Sequence, residues 1–238
     1  MKAMILAAGR GERMRPLTDE RPKPLLEVGG RSLLEWHLAA LARAGIRDIV
    51  INHAWLGERI VEALGDGRRH GVRIRYSAEG EGALETAGGI IQVLPMLGAD
   101  PFLVINGDIW TDFDFSRLPA LDDEALGSLV LVPNPPQHPK GDFGLLARGA
   151  GGFDILADPQ RLEAADAPPR YTFSGIAVYR PEFFAEFAPG RRPLLPLLRG
   201  AAAAGRLRGR LYQGLWFDIG TPERLRELDE RLAGGATG

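Results

Sequence analysis

The sequence predicts an α/β fold: a Rossmann-like, mixed and mostly parallel central sheet flanked by helices, with a small antiparallel region in its second half. Up to residue 108, strand-length apolar runs alternate with stretches of helical spacing, the pattern of a parallel sheet covered on both faces. From about residue 128, strand-length runs succeed one another across short turns, as in antiparallel pairing. The 238 residues, 45% apolar and 25% charged, suffice for one large domain with a substantial core. The single domain 1–238 divides into halves at 1–127 and 128–238.

KAMILAAG (2–9) is a buried strand running into a glycine turn, and Gly29-Gly30 marks a second turn. SLLE (32–35) has the form of a capping box, with Ser32 at the cap and Glu35 reaching back. Leu33, Leu34, His37, Leu38 and Leu41 then keep helical spacing up to Gly45, a glycine stop. DIVINHA (48–54) is the second strand, and 56–64 a helix ending at Gly65. In VRIRYS (72–77), Val72, Ile74 and Tyr76 alternate with arginines, which predicts a half-exposed strand. ETAGGIIQVLPML (85–97) is a weaker helix with glycines near its start, and PFLVINGD (101–108) a buried strand ending in a polar turn. In the second half SLVLVPN, GDFGLLAR, FDILAD and TFSGIAVYR are strands, with a hairpin loop at 149–152 and a helix in PEFFAEFA (181–188). AAAA (201–204) is helical, and GRLYQGLWFDIG (209–220) is one late strand. TPERLRELDERLA (221–233) is an amphipathic helix capped by Thr221, with Pro222 in its first turn.

The formal net charge of −2 gives no general attraction for nucleic acid. The absence of cysteine excludes disulfides, thiolate metal sites and a cysteine nucleophile. MKAMILAAG has too short an apolar run for a signal peptide and meets Arg10, Glu12, Arg13 and Arg15 at once. No apolar stretch approaches the length of a membrane span. A cytoplasmic protein without nucleic-acid or membrane partners is expected, as a monomer or homodimer. Lysine stands only at 2, 23 and 140, so a lysine inside a motif draws notice. His37, His53, His70 and His138 show no metal-ligand spacing; His37 reads as an ordinary helix residue and His53 as a support for the site.

LAAGRGERMRPLTDERPKPL (6–25) sets two glycines one apart after the first strand, and a lysine between two prolines. A dinucleotide fingerprint, G-x-G-x-x-G, and a kinase-type P-loop, G-x-x-x-x-G-K-[ST], both require glycine at 14; Met14 and Arg15 exclude them. What remains, Ala8-Gly9-Arg10-Gly11-Glu12-Arg13, is a backbone nest of the kind that accepts phosphate at the carboxyl end of a strand. Taken alone, such a pair is more often a glycine turn beside solvated arginines. Arg13 offers planar, bidentate charge, and Lys23 a point charge aimed by Pro22 and Pro24. Asp108, at the end of NGD, suits either a magnesium ion or a turn cap. Asp218, in WFDIGTPERL (216–225), is either a metal ligand or a helix N-terminal charge.

The longer string LAAGRGERMRPLTDERPKPLLEVGG resembles the signature of the sugar-1-phosphate nucleotidyltransferases, L-A-A-G-x-G-x-R-x-x-P-x-T…P-K-P-L-x-x-V-x-G. It matches at Leu6, Ala7, Ala8, Gly9, Gly11, Arg13, Pro16, Thr18, Pro22, Lys23, Pro24, Leu25, Val28 and Gly30. The resemblance implies the GT-A-like form of the fold, with the nucleotide bound mainly by 1–127, the sugar mainly by 128–238, and Asp218 returning to the metal site. Ala8, Gly9, Gly11, Glu12, Arg13 and Lys23 are the implied nucleotide contacts. Thr86 and Gly88 join them from LETAGG (84–89), which is similar to the family's L-G-T-A loop with Glu85 in place of glycine. Arg13, Lys23 and Asp108 are the implied catalytic residues, and Asp108 and Asp218 the implied ligands of Mg²⁺. The latter stands in a segment similar to the family's W-x-D-[IV]-G-T-P. Asn106, with Gly141 and Asp142 from KGDFGLL and Ser174 and Gly175 from YTFSGIAVY, are the implied sugar-phosphate contacts. The family's E-K-P segment is missing, and ILADPQRL (155–162) stands in about its place.

The implied partners are a nucleoside triphosphate and a sugar 1-phosphate. GERMRPLT, INHAWLGERI, GDIWTDFDF, HPKGDFGL and YTFSGI resemble the members that take UTP and N-acetylmuramic acid α-1-phosphate in peptidoglycan recycling. The alternatives are a mannose-1-phosphate guanylyltransferase and a non-catalytic, nucleotide-sensing subunit of the same fold.

Overall fold

A computed structural model describes residues 1–80, 84–148 and 152–235. Along the chain the strands are β1 (Ala3–Leu6), β2 (Glu27–Val28), β3 (Arg31–Ser32), β4 (Asp48–His53), β5 (Arg73–Ala78), β6 (Phe102–Asn106), β7 (Ile109–Thr111), β8 (Gly127–Val132), β9 (Phe143–Arg148), β10 (Gly152–Leu156), β11 (Arg170–Tyr179), β12 (Leu207–Leu211) and β13 (Trp216–Asp218). The α-helices are α1 (Leu17–Glu20), α2 (Leu33–Arg43), α3 (Gly57–Leu64), α4 (Glu85–Leu97), α5 (Pro159–Leu162), α6 (Leu194–Ala203) and α7 (Pro222–Gly235). The fold is the expected α/β type, a mixed, mostly parallel central sheet with helices. The chain forms two compact units. One comprises Met1–Ala83, Ile105–Ser116 and Leu215–Gly238; the other Leu84–Val104 and Arg117–Gly214. Among the described residues no helix is long and apolar enough to cross a membrane.

In the first unit β5, β4 and β1 lie side by side and parallel, Ile5 opposite Ile51 and Ile51 opposite Tyr76. β1 and the centre of β4 read as unbroken apolar runs because both are buried. β5 keeps its alternation, Ile74 inward and Arg73 and Arg75 outward. Gly29 and Gly30 take φ of 57° and 73°, the pair of left-handed positions that a tight hairpin between β2 and β3 demands. The capping box forms as expected: Ser32 Oγ accepts from Glu35 N–H at 3.2 Å, and Glu35 Oε2 accepts from Ser32 N–H at 3.0 Å. Gly45, just past α2, has φ 77°. Met14, Leu33, Trp110, Ile219 and Leu228 belong to a buried cluster that ties the opening loop, α2, β7 and α7 into one packing unit. Burying one such leucine contributes about 2 kcal/mol.

In the second unit the strand order is β11-β8-β12-β10-β9. The region is antiparallel as expected, except that β12 runs parallel to β8. The expected hairpin loop falls outside the described residues up to Gly152, while the strands flanking it pair antiparallel with Arg148 opposite Gly152.

Two expected elements are corrected. GRLYQGLWFDIG is not one strand: β12 ends at Leu211, and β13 begins at Trp216 and pairs with β7. Apolar residues continue on both sides of Gln213-Gly214, where the chain leaves one pairing for another. PEFFAEFA forms only a 3-10 turn, Pro181–Phe183. Its adjacent Phe183 and Phe184 are both buried, Phe184 packing on Phe102 and Tyr179. Neighbouring residues point about 100° apart on a helix, and Pro189-Gly190 ends the segment before a second turn could form.

Candidate active site

The opening loop is braced from several sides. Ala7 N–H donates to Asn52 Oδ1 at 2.9 Å, and the Asn52 amide donates to Glu79 Oε1 at 2.5 Å. Asn52 and Glu79 are both buried. Thr18 Oγ1 donates to the Gly11 carbonyl at 2.9 Å, and the indole N–H of Trp55 donates to the Thr18 carbonyl at 3.1 Å. Arg10 lies 3.9 Å over the Trp55 ring and pairs with Glu12. Gly9 has open space where a side chain would stand, as a phosphate cradle needs. Gly11 has φ 71°, and a Cβ there would meet Lys23 Cβ at 3.0 Å, so the lysine stem runs against the loop. The Arg13 side chain stands exposed.

Lys23 opens a 3-10 turn, Lys23–Leu25, and is 7% exposed. Its Nζ donates to Asp108 Oδ2 at 2.5 Å. The sequence marks both residues and the structure brings them together across 85 positions. The intervening Gly107 is a close-approach residue. Its N–H donates to the Leu6 carbonyl at 2.8 Å, and a Cβ would stand 2.7 Å from that oxygen. Gly107→Ala is therefore expected to destabilise the protein by about 2 kcal/mol and to shift Asp108 with it. A urea melt and an activity assay check both.

Asp218 arrives through β13. It stands opposite Ile109 of β7, and Ile219 N–H donates to the Asp108 carbonyl at 3.0 Å. The two aspartates are thus neighbours in one antiparallel pairing. Arg224 Nη1 donates to Asp218 Oδ2 at 2.5 Å. Among the described residues no group of three or more His, Cys, Asp or Glu could hold a metal. Carboxylates are nevertheless the donors that a hard divalent cation takes, with phosphate oxygens and water completing its shell.

His37 lies beside this pair and is 2% exposed. It is a core residue of α2, and its nearness to Asp108 has no sequence signal. Burial holds its imidazole down to about 4, against a hydrogen bond to the Ile109 carbonyl and the Asp108 charge that both pull upward. The unfolded chain, with an imidazole near 6.5, takes the proton first. Stability is therefore expected to fall as pH drops from about 6.5 to about 4, by about 3 kcal/mol in all. Urea melts across that range test this, and His37→Asn should remove the slope.

Apart from Asn106, the other expected site residues lie in the second unit. Glu85 has φ 59°, a left-handed position that costs a non-glycine residue about 1 kcal/mol. That conformation explains why glycine is usual there. Arg191 holds the Glu85 carboxylate at 2.8 Å. Thr86 is half-buried. The N–H groups of Ala87 and Gly88 donate to the Arg192 carbonyl at 3.1 and 3.2 Å, and a Cβ on Gly88 would strike the Gly190 carbonyl at 2.4 Å. Asn106, in the first unit, closes β6 and is half-buried.

Gly141, Asp142, Ser174 and Gly175 come together. Asp142 Oδ2 accepts from Phe173 N–H at 2.8 Å, and Oδ1 lies 2.9 Å from His138 Nε2. The β8–β11 register shifts between Phe173 and Ile176, and Gly175 takes φ 79° within that bulge. Ser174 Oγ donates to the Val130 carbonyl at 2.7 Å and accepts from Ile176 N–H at 3.2 Å. Gly141 has φ 63°, with Asn134 Oδ1 2.5 Å from where its Cβ would be. Asn134, which no motif marks, donates to the carbonyls of Pro139 and Arg170 and accepts from Thr172 Oγ1. Asp158 caps α5 by accepting from Gln160 N–H at 2.8 Å.

The family model for nucleotidyl transferases matches residues 2–234. N-acetylmuramate alpha-1-phosphate uridylyltransferase of Neisseria meningitidis serogroup B is 51% identical, over 98% of this chain and 99% of that one. The enzyme of the same name from Caulobacter vibrioides is 34% identical, over 97% of this chain and 96% of its own. Among solved structures, HddC from Yersinia pseudotuberculosis superposes with a TM-score of 0.76 at 18% identity, covering 97% of this chain and 98% of that one. That likeness is one of fold alone. The family match across nearly the whole length makes this chain a member of the nucleotidyl transferase family.

Proposed function

We propose that the protein transfers a uridylyl group from UTP to N-acetylmuramic acid α-1-phosphate, releasing pyrophosphate, as a cytoplasmic step of peptidoglycan recycling. The near full-length identity to uridylyltransferases supports the substrates. The observation that carries the chemistry is the run from Gly11 through Lys23 to Asp108, whose carbonyl accepts from the N–H of Ile219, the residue after Asp218. In this reading a phosphate oxygen of the sugar 1-phosphate attacks the α-phosphorus in line. The bond to the bridging oxygen breaks, and pyrophosphate leaves with the electron pair. The attacking phosphate, with a second pKa of roughly 6, is already anionic near neutral pH, so no general base is required. The work left to the protein is positioning and charge neutralisation.

The loop around Ala8, Gly9, Gly11 and Glu12 cradles the triphosphate, its backbone held by Asn52 and Thr18. Lys23 and Arg13 take up charge on the leaving pyrophosphate. Thr86 and Gly88 stand with the nucleotide, and Asn106, Gly141, Asp142, Ser174 and Gly175 with the sugar phosphate. Asp142 and Ser174 act there by holding the bulge, through their bonds to Phe173, His138, Val130 and Ile176. Asp108 and Asp218 would hold Mg²⁺, which when bound neutralises the reacting phosphates. Pyrophosphate release, measured for four nucleoside triphosphates each with N-acetylmuramic acid 1-phosphate and with mannose 1-phosphate, tests the reading. UTP with the former should be fastest; GTP with mannose 1-phosphate being faster would replace it with the guanylyltransferase reading.

A further inference from the structure

Each aspartate of the proposed metal site already holds a cation of the protein. Asp108 holds Lys23 and Asp218 holds Arg224, both at 2.5 Å. Arg224 is not part of the family signature, and its place is specifically built. Its side chain is only 16% exposed, and it lies over Gly220. A Cβ on Gly220 would stand 2.2 Å from Arg224 Nη2 and 2.9 Å from Cζ, with no backbone atom among those nearest contacts. The missing side chain at Gly220 is therefore the space the guanidinium occupies. Arg224 sits in the first turn of α7, whose start is fixed by Thr221 accepting from Arg224 N–H at 3.4 Å. Backbone and side chain thus deliver one fixed charge to one carboxylate. A guanidinium cannot give up that charge near neutral pH. Lys23, by contrast, is a single ammonium without a planar fork.

We infer that Arg224 is a counter-ion built in to keep Asp218 a weak metal ligand until nucleotide phosphates arrive, so that metal and nucleotide bind together. The inference rests on the metal role proposed above for the two aspartates. A second cation must compete with the Arg224 guanidinium, at 2.5 Å, for the same Asp218 carboxylate. A merely structural Arg224 has the opposite signature, since losing it would loosen Asp218 and weaken metal binding.

Mn²⁺ titrated into the full-length protein, with free Mn²⁺ read by electron paramagnetic resonance, separates these. Without nucleotide, R224Q should bind Mn²⁺ about tenfold tighter than the native protein, and R224K, which keeps the charge, within about threefold of it. With UTP and no acceptor, the native protein should close most of that gap. Gly220→Ala, whose methyl takes the guanidinium's place, should move with R224Q and decides the matter should R224Q fail to fold. Nucleotide-free binding that is unchanged or weaker in the deciding variant overturns the inference alone. No Mn²⁺ bound by the native protein, even with UTP, overturns the metal role of Asp108 and Asp218 and this inference with it.

Discussion

Asp108→Asn is expected to lower turnover by roughly 10³-fold while leaving the fold intact. The amide keeps the shape and can still accept from Lys23, so the buried ammonium is not stranded. It removes the negative charge that would hold a divalent cation beside the reacting phosphates. The Asp108 side chain is 37% exposed, so the stability cost should be no more than about 1 kcal/mol. Steady-state pyrophosphate release, with circular dichroism and a thermal melt on the same sample, checks both halves. Near-native turnover in a folded variant would remove Asp108 from the chemistry.

Lys23→Met should lower kcat by about 10²-fold, the usual loss for one preorganised donor to a transition-state oxyanion. Methionine preserves the length of the stem that packs against Gly11. The Asp108 carboxylate it abandons still reaches water, so the melt should shift little. The loss should appear in kcat more than in KM for UTP, because the charge on pyrophosphate grows in the transition state. Lys23→Arg should not rescue it. A planar fork needs more room than a lysine stem whose Cβ and Cδ lie 3.0 and 3.4 Å from where a Gly11 Cβ would stand. A kcat within a few-fold of native in Lys23→Met would assign the lysine to the architecture of the loop instead.

Much of the first unit was legible because local rules sufficed. Ser32 with Glu35, Gly29-Gly30 and Gly45 each state their geometry within four residues, and the structure has all three. The cradle and its lysine carry a signature dense enough to read from residues alone. What connects them is not local. Nothing in NGD or in WFDIGTP says that Ile219 N–H meets the Asp108 carbonyl; that is fixed by a pairing of β7 with β13 over more than a hundred residues. The same non-locality misled the reading of residues 209–220, where apolar residues persist while the strand partner changes. Asn52 and Glu79 carried only the weak signal of polar groups in a strand and at its end; buried polar side chains imply partners but do not name them. Glu85 is the reverse case. Its departure from glycine was plain in the sequence, yet the left-handed backbone that gives it meaning, and the Arg191 pairing that accompanies it, exist only in three dimensions.

The most direct test of the central claim is a competition. The protein is given UTP and Mg²⁺ with equimolar N-acetylmuramic acid, N-acetylglucosamine, glucose and mannose 1-phosphates, and the products are resolved by mass spectrometry. UDP-N-acetylmuramic acid should dominate the early products, with pyrophosphate formed in equal amount. Another UDP-sugar formed first, or no nucleotide sugar at all, would contradict the account.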